Sequence, residues 1–350
     1  APVIGVRRTQ VFDLPEPAGF HVTEHRYERV RCTDCRQATT APVLPGASAP
    51  VSYGPGISAL GAYLTGAHHL PVARAAEIMA DVMGAPVSTG WLAGAAGRAY
   101  ALLTLFEEVV RAAVAVAYVV CADETPTRVA GQRRYVHVAC TDRLTCLHPG
   151  KRSKEAIEAG GVLPGFAGVL VTDAYAAYDS YGGGRQLCCA HLLRELQQLI
   201  DFDPVHAPWA ANMAEVLTEA NGLVRQARGR GRAALEPEVL EGIARRYRRV
   251  VVFAKSVGGH ALIRRLDARQ DDYLRFAADF GVPFTSNAAE RDLRMVKLHD
   301  KVSGTWRSWE GLVHFCRIRS YTATLKKNGV NVLEGLRDAF AGNAWVPSTT

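Results

Sequence analysis
The hydrophobic and polar positions fall into blocks of different period. Residues 1–50 alternate irregularly between short extended pieces such as "RRTQVFDL" and "HRYERVRC", punctuated by Pro15, Pro17, Pro42, Pro45 and Pro50, which predicts a small β module. From about 56 to 112 the period turns helical and Ala-rich. There "ARAAEIMADVMGAPVSTGWLAGAAGRAYALL" splits at "GAPVS" into two helices, with Gly84 stopping the first and Ser88 capping the second. Two helices across so short a turn resemble a helix-turn-helix, an arrangement used for DNA contact and also for plain packing.

A strand-rich block follows: "AYVVCADET", "RYVHVACTD" and "LTCLHPG", then helical "SKEAIEAGG", then "GFAGVLVTDAYAAY". Three strands, a helix and a fourth strand predict a mixed sheet with helices on its faces. The apolar run "AAVAVAYVVCA" at 112–122 is well short of the roughly 18 residues a membrane span needs, and reads as a helix end running into a buried strand. After "RQLCCAHLLRELQQL" the chain is expected to stay mostly helical to about 280. The basic runs "RQARGRGR" and "ARRYRRV" in that stretch read as solvated helix faces and a loop, with phosphate contact as the alternative. The last piece, 283–350, opens with the helix "FTSNAAERDLRMVK" and ends in a helical hairpin at "NGVNVLEGLRDAF".

The expected units are therefore 1–50, 51–112, 113–200, 201–282 and 283–350, and 350 residues at 48% hydrophobic content can bury a real core. The formal charge of +7 permits a polyanionic partner without demanding one. Eight cysteines without an export signal predict reduced thiols in a cytoplasm and no disulfide framework.

The chemistry concentrates on three acids. "VVCADET" sets Asp123 at the end of one hydrophobic run, and "VLVTDAY" sets Asp173 at the end of another. Either is an ordinary turn residue alone. On neighbouring strands about 4.8 Å apart, both carboxylates could share a hard divalent cation. A magnesium pair would then need a third acid. On the helix at 284–297, Asn287, Glu290, Arg294 and Lys297 fall within an arc of roughly 80°, while Ala288, Ala289, Met295 and Val296 point the other way. The plain alternative for Glu290 is an i, i+4 ion pair with Arg294 on a wet surface.

These pieces together, "ADETPTRV", "GFAGVLVTDAYAAY", "CCAHLLRE" and "SNAAERDLR" in that order, with "YGPGISALGAYLTGAHHLPVARAAEIMADVMGAPVS" ahead of them, resemble the insertion-sequence-66 family of bacterial transposases, of the DDE, ribonuclease H-like group. The resemblance implies a mixed α/β core of ribonuclease H-like type with a helical insertion, a helical DNA-binding region and an N-terminal zinc-finger-like β module. It assigns the acidic triad to Asp123, Asp173 and Glu290. Asp123 would bridge two Mg²⁺ ions, for which Mn²⁺ can substitute, while Asp173 and Glu290 each hold one. The Glu290-x6-Lys297 spacing is similar to an element of related transposases in which the base holds a DNA phosphate. Arg294 would share that role, and Arg291 would contact the backbone. "CTDC" matches one of the family's two CxxC pairs through Cys32 and Cys35. The other pair is expected upstream of Ala1, with His21 and His25 as alternative zinc ligands. "CCAHLLRE" matches the family's C-x-A-H pattern at Cys189, Ala190 and His191, with Arg194 following; a structural role and a DNA-positioning one both remain open for His191. Trp306 and Trp309 could stack on a splayed base or pack between helices.

The implied activity is hydrolysis of phosphodiester bonds at the element ends, followed by strand transfer into target DNA by an oligomer assembled on DNA in the bacterial cytoplasm, at the nucleoid. A nuclease acting alone, or a catalytically silent DNA-binding protein, is the rival. A Rossmann-type enzyme is disfavoured, because no G-x-G-x-x-G follows a strand.

Overall fold
The computed structural model describes residues 10, 19–44, 49–258 and 260–348. The extended piece expected at "RRTQVFDL" lies, apart from Gln10, outside the described residues. Strands β1 (Arg29–Arg31) and β2 (Ala38–Thr40) form an exposed antiparallel hairpin. Five helices follow: α1 (Pro55–Ala62), α2 (Val72–Asp81), α3 (Thr89–Ala93), α4 (Ala95–Leu102) and α5 (Thr104–Ala115). A π-helical turn at Tyr63–Ala67 extends α1. Gly84 takes φ +60 where the chain leaves α2, and the Ser88 hydroxyl accepts from the Trp91 amide to start α3, as the sequence predicts. The expected single helix beyond Ser88 is three, broken at Gly94 and Leu103.

The central sheet contains β3 (Val119–Val129), β4 (Gln132–Cys140), β5 (Thr145–Gly150), β6 (Val169–Thr172) and β7 (Gly184–Leu187), in the order β5-β4-β3-β6-β7. The pairs β3–β4 and β4–β5 are antiparallel, while β3–β6 and β6–β7 are parallel. Helix α6 (Lys154–Ala159) lies between β5 and β6 in the chain. β7 is a correction to the four strands expected. Its "GRQL" carries no hydrophobic run because Arg185 and Gln186 are buried with partners: Arg185 on Asp179 and the Thr172 hydroxyl, and Gln186 on the Leu187 carbonyl and Phe276 amide.

Alternation along β3 sorts its side chains to two faces. Val120 and Ala122 pack with Phe106, Val110, Leu170, Tyr321 and Leu325 against α4, α5, α13 (Trp309–Lys327) and α14 (Val332–Phe340). Cys121, with Val138, Leu147 and Val171, packs against Ala289, Leu293 and Val296 of α12 (Asn287–Val302). Between these parts, α7 (Cys189–Phe202), α8 (Trp209–Gly229), α9 (Pro237–Val257), α10 (Ala261–Ala268) and α11 (Gln270–Ala278) bury a separate core around Trp209, Met213, Tyr247 and Phe276.

Helix α12 is clamped across its face of the sheet at several depths. Thr127 Oγ1 donates to Asp300 at 3.0 Å, and Lys297 Nζ donates to the Pro126 carbonyl. On its inner side Asp292, only 6% exposed, accepts from Thr145 Oγ1 at 2.7 Å and pairs with Lys327 at 2.8 Å. The acid that looks out of place on the apolar stripe is thus held by the sheet and by α13.

Candidate active site
β3 and β6 run parallel with Cys121 opposite Val171, so Asp123 and Asp173 each lie two residues beyond that matched pair. Asp123 is not at a strand end, contrary to the sequence-based expectation. β3 continues to Val129 because β4 pairs with it along its whole outer half, and it is β6 that stops, at Thr172. Asp123 therefore stands on a rigid strand at the point where its parallel neighbour peels away. Asp123 has the same parity as Cys121 and Thr127, which puts it on the face covered by α12.

Both acids are fixed by local amides. Asp123 Oδ1 accepts from the Glu124 N–H at 2.8 Å, and Asp173 Oδ1 accepts from the Tyr175 N–H at 2.9 Å. Burial pushes the Asp123 carboxyl up to about 7; the Glu124 amide opposes that rise, the Glu124 and Asp173 charges add to it, and His191 counters it. A half-buried acid beside two other carboxylates is the arrangement expected where a positive ion is to be received.

The third acid arrives through a junction between two helix starts. The Cys189 amide donates to the Phe284 carbonyl at 3.1 Å, and the Ser286 amide donates to Cys188 Sγ at 3.2 Å, so the first turns of α7 and α12 are tied together. One turn along α7, Arg194 Nη2 donates to Glu290 Oε1 at 3.0 Å, and His191 Nε2 lies 3.5 Å from the same oxygen. The expected alternative, a Glu290–Arg294 pair, does not form: Glu290 turns towards α7 and leaves Arg294 exposed. Cys188 is the largest influence raising His191, burial opposes it, and Glu290 adds to the rise. For Cys188 itself burial works upwards, but the donors from His191 and Ser286 outweigh it and the thiol is lowered. His191 is thus an electrostatic neighbour of both Asp123 and Glu290.

Directly beneath, on the opposite face of β3, lies an acid that sequence reasoning missed. The Glu124 side chain, 3% exposed, accepts from Arg152 Nε at 2.7 Å and from the Tyr178 hydroxyl at 2.7 Å. Arg152 also stacks over the Tyr175 ring at 4.2 Å. The signal available was "ADET" itself, whose adjacent acids on a strand must face opposite ways.

Of the bases predicted to hold DNA, Arg291 and Arg294 are exposed on α12, and Lys297 reaches back to the β3 backbone. Trp306 is packed, stacked on His299 at 3.6 Å and bonded through its amide to the Arg128 carbonyl, whereas Trp309 is 45% exposed. Cys32 and Cys35 face each other in the β1–β2 turn as exposed free thiols, and backbone N–H groups of Cys35 and Asp34 lower Cys32. His21 and His25 do not join them. Among the described residues no three His, Cys, Asp or Glu side chains gather into a metal-holding group.

The donor chemistry of the Asp123 and Asp173 pair nonetheless suits a hard divalent cation. It offers two oxygen ligands in mutual repulsion, one of them raised mainly by burial. Glu290 is held by Arg194 and His191, and His191 also acts electrostatically on Asp123. Residues 50–314, which contain all three acids, match the family model for the IS66 family of transposases. The chain belongs to that family. The match stops short of Cys32 and Cys35 at one end and of α14 at the other. None of the curated proteins matches the sequence. Among the described residues, no helix is long and apolar enough to cross a membrane.

Proposed function
We propose that this transposase cuts phosphodiester bonds at the ends of its element in a divalent-metal-dependent reaction and joins the freed 3′-hydroxyl to target DNA. The observation that carries the reading is the position of Asp123 on β3, on the face covered by the helix that bears Glu290, with Asp173 just past the end of the adjacent parallel strand β6. Three antiparallel strands followed by two parallel ones, in the order β5-β4-β3-β6-β7, support the ribonuclease H-like reading of the core. The helices between α7 and α12, with their own core, fit the proposed insertion at 201–282.

Asp123, Asp173 and Glu290 would hold Mg²⁺, or Mn²⁺ in its place. When bound, the metal supplies an activated water and neutralises the leaving oxyanion. The chain's own residues do the positioning. The Glu124 and Tyr175 amides fix the two aspartates. Arg194 and His191 orient Glu290, which would be the third ligand. Arg291 and Arg294, exposed on α12 beyond Glu290, hold the DNA backbone, and Lys297 lies one further turn along. The partners are element ends and target DNA, with the transposase oligomeric on DNA. Cys32 and Cys35 would supply two thiolates to a structural zinc site.

The test is a cleavage and strand-transfer assay with element-end DNA. Asp123→Asn, Asp173→Asn and Glu290→Gln should each abolish Mg²⁺-dependent cleavage and joining while leaving DNA binding intact. Wild-type rates in any of the three would sink the assignment, and cutting without joining in the wild type would make the protein a nuclease.

A further inference from the structure
Helix α13 is almost wholly buried from Ile318 to Leu325, and within that stretch stands an arginine. Arg319 keeps only 7% of its surface exposed, and its Nε and Nη1 have no hydrogen-bond partner among the described residues. A buried guanidinium normally sits on a carboxylate, because an uncompensated buried charge is strongly unfavourable. The acid that does act on it electrostatically, Asp292, is already engaged by Thr145 Oγ1 and Lys327 Nζ.

Apart from Asp292, the titratable groups that act in this region are histidines and a lysine. His69 is 1% exposed, and neither ring nitrogen has a partner among the described residues. Its ring lies 5.5 Å from Phe315, one turn before Arg319 on α13, and 5.6 Å from His299, whose Nδ1 is also unpartnered. His69 holds φ +59, a left-handed conformation, and its carbonyl accepts from the Ser303 hydroxyl at the end of α12. His68 and Lys326, the latter seven residues along α13 from Arg319, are both exposed. Lys326 is lowered by burial and then by the Arg319 charge, and no acid counters either. His68 is lowered by burial and by the charges of Lys326 and Arg319.

We propose that Arg319, Lys326, His68 and His69 form a pocket for a phosphate group, lying between α13 and the segment that joins α1 to α2. A phosphate presents several acceptor oxygens to converging N–H groups and supplies the missing negative charge, which Arg recognises particularly well. The segment carrying His68 and His69 leads directly into α2, the first helix of the helix-turn-helix-like pair. A phosphate seated here is therefore either part of a DNA backbone lying along residues 55–93 or a free inorganic ion. Only the first source rests on the DNA reading above.

The experiment is thermal denaturation of the full chain in inorganic phosphate against chloride at matched ionic strength, with phosphate binding followed by calorimetry. Phosphate should raise Tm by a few degrees. Lys326→Gln should weaken phosphate binding about tenfold, the size of one charge-assisted hydrogen bond, and Arg319→Gln should abolish it. If Arg319→Gln does not fold, the exposed double variant His68→Ala/Lys326→Gln must still lose most of the phosphate effect. Equal Tm in phosphate and chloride, or an undiminished phosphate effect in the double variant, overturns the pocket. Duplex DNA titrated over a range of salt separates the sources. A slope reduced by about one in Lys326→Gln assigns the DNA backbone, and an unchanged slope assigns the free ion; both uphold the pocket. Asp123→Asn should keep the phosphate effect, so failure of the catalytic reading and failure of the pocket are distinguishable.

Discussion
Arg194 on α7 donates to Glu290 on α12 at 3.0 Å, across 96 positions of sequence. The pair joins the two helix starts that flank the separate helical core, and it turns the Glu290 carboxylate away from its own helix's Arg294. Arg194 is thus a positioning residue for the proposed third acid.

Removing that support should weaken metal use without unfolding the protein, because the Arg194 side chain is 59% exposed. Arg194→Gln should raise the Mg²⁺ concentration for half-maximal cleavage by about 10-fold or more, in the range seen when ligand-orienting groups are lost. Arg194→Lys should restore part of it. An unchanged metal dependence in Arg194→Gln, measured by cleavage of element-end DNA over a Mg²⁺ series, would leave the contact a surface ion pair.

Asp123 should cost the metal-free protein stability at neutral pH. Its folded value of about 7 lies above the roughly 3.9 expected in the unfolded chain. The cost is absent below about pH 4 and grows as pH rises towards and through about 7. Asp123→Asn should therefore raise metal-free stability at pH 8 by about 1–3 kcal/mol, and by much less at pH 4, while abolishing cleavage. Urea denaturation at the two pH values checks both halves.

The same raised carboxyl couples metal to protons. A metal ligand must be ionised, so binding at pH 6 should release close to one proton from Asp123, and binding at pH 8 almost none. Apparent Mn²⁺ affinity should strengthen from pH 6 to 8 and then level off. Calorimetry in buffers of different ionisation enthalpy counts the protons directly, and a count independent of pH would contradict the placement of Asp123 at the metal.

Glu124 has a structural part to play beneath the site. Glu124→Ala takes the acceptor from Arg152, whose side chain is 45% exposed, and from Tyr178, and should cost about 2 kcal/mol, the size of one charge-assisted and one neutral hydrogen bond. Tyr178→Phe removes a single hydrogen bond and should cost about 1 kcal/mol. Both follow from chemical denaturation, and a Glu124→Ala cost below that of Tyr178→Phe would refute the network.

The pattern of residues determined a good deal by itself. The helix ends at Gly84 and Ser88, the helix-to-strand passage around 112–122, the division of α12 into an apolar and a polar stripe and the two candidate aspartates all follow from local rules. Turn chemistry, capping and periodicity act over a few residues and are legible there. The family motifs, carried as short strings, were legible for the same reason. What lay beyond reach depended on partners distant in the chain. β7 has no apolar run because its buried Arg185 and Gln186 find acceptors and donors on other elements. Asp123 proved to be mid-strand because β4 outlasts β6 beside it. Glu290 took Arg194 over Arg294, and Asp292 took Lys327. Buried polar groups must be satisfied, but a one-dimensional pattern does not say by whom. Only the tertiary structure decides which polar groups meet, and with it which face of α12 is presented to the carboxylates of the sheet.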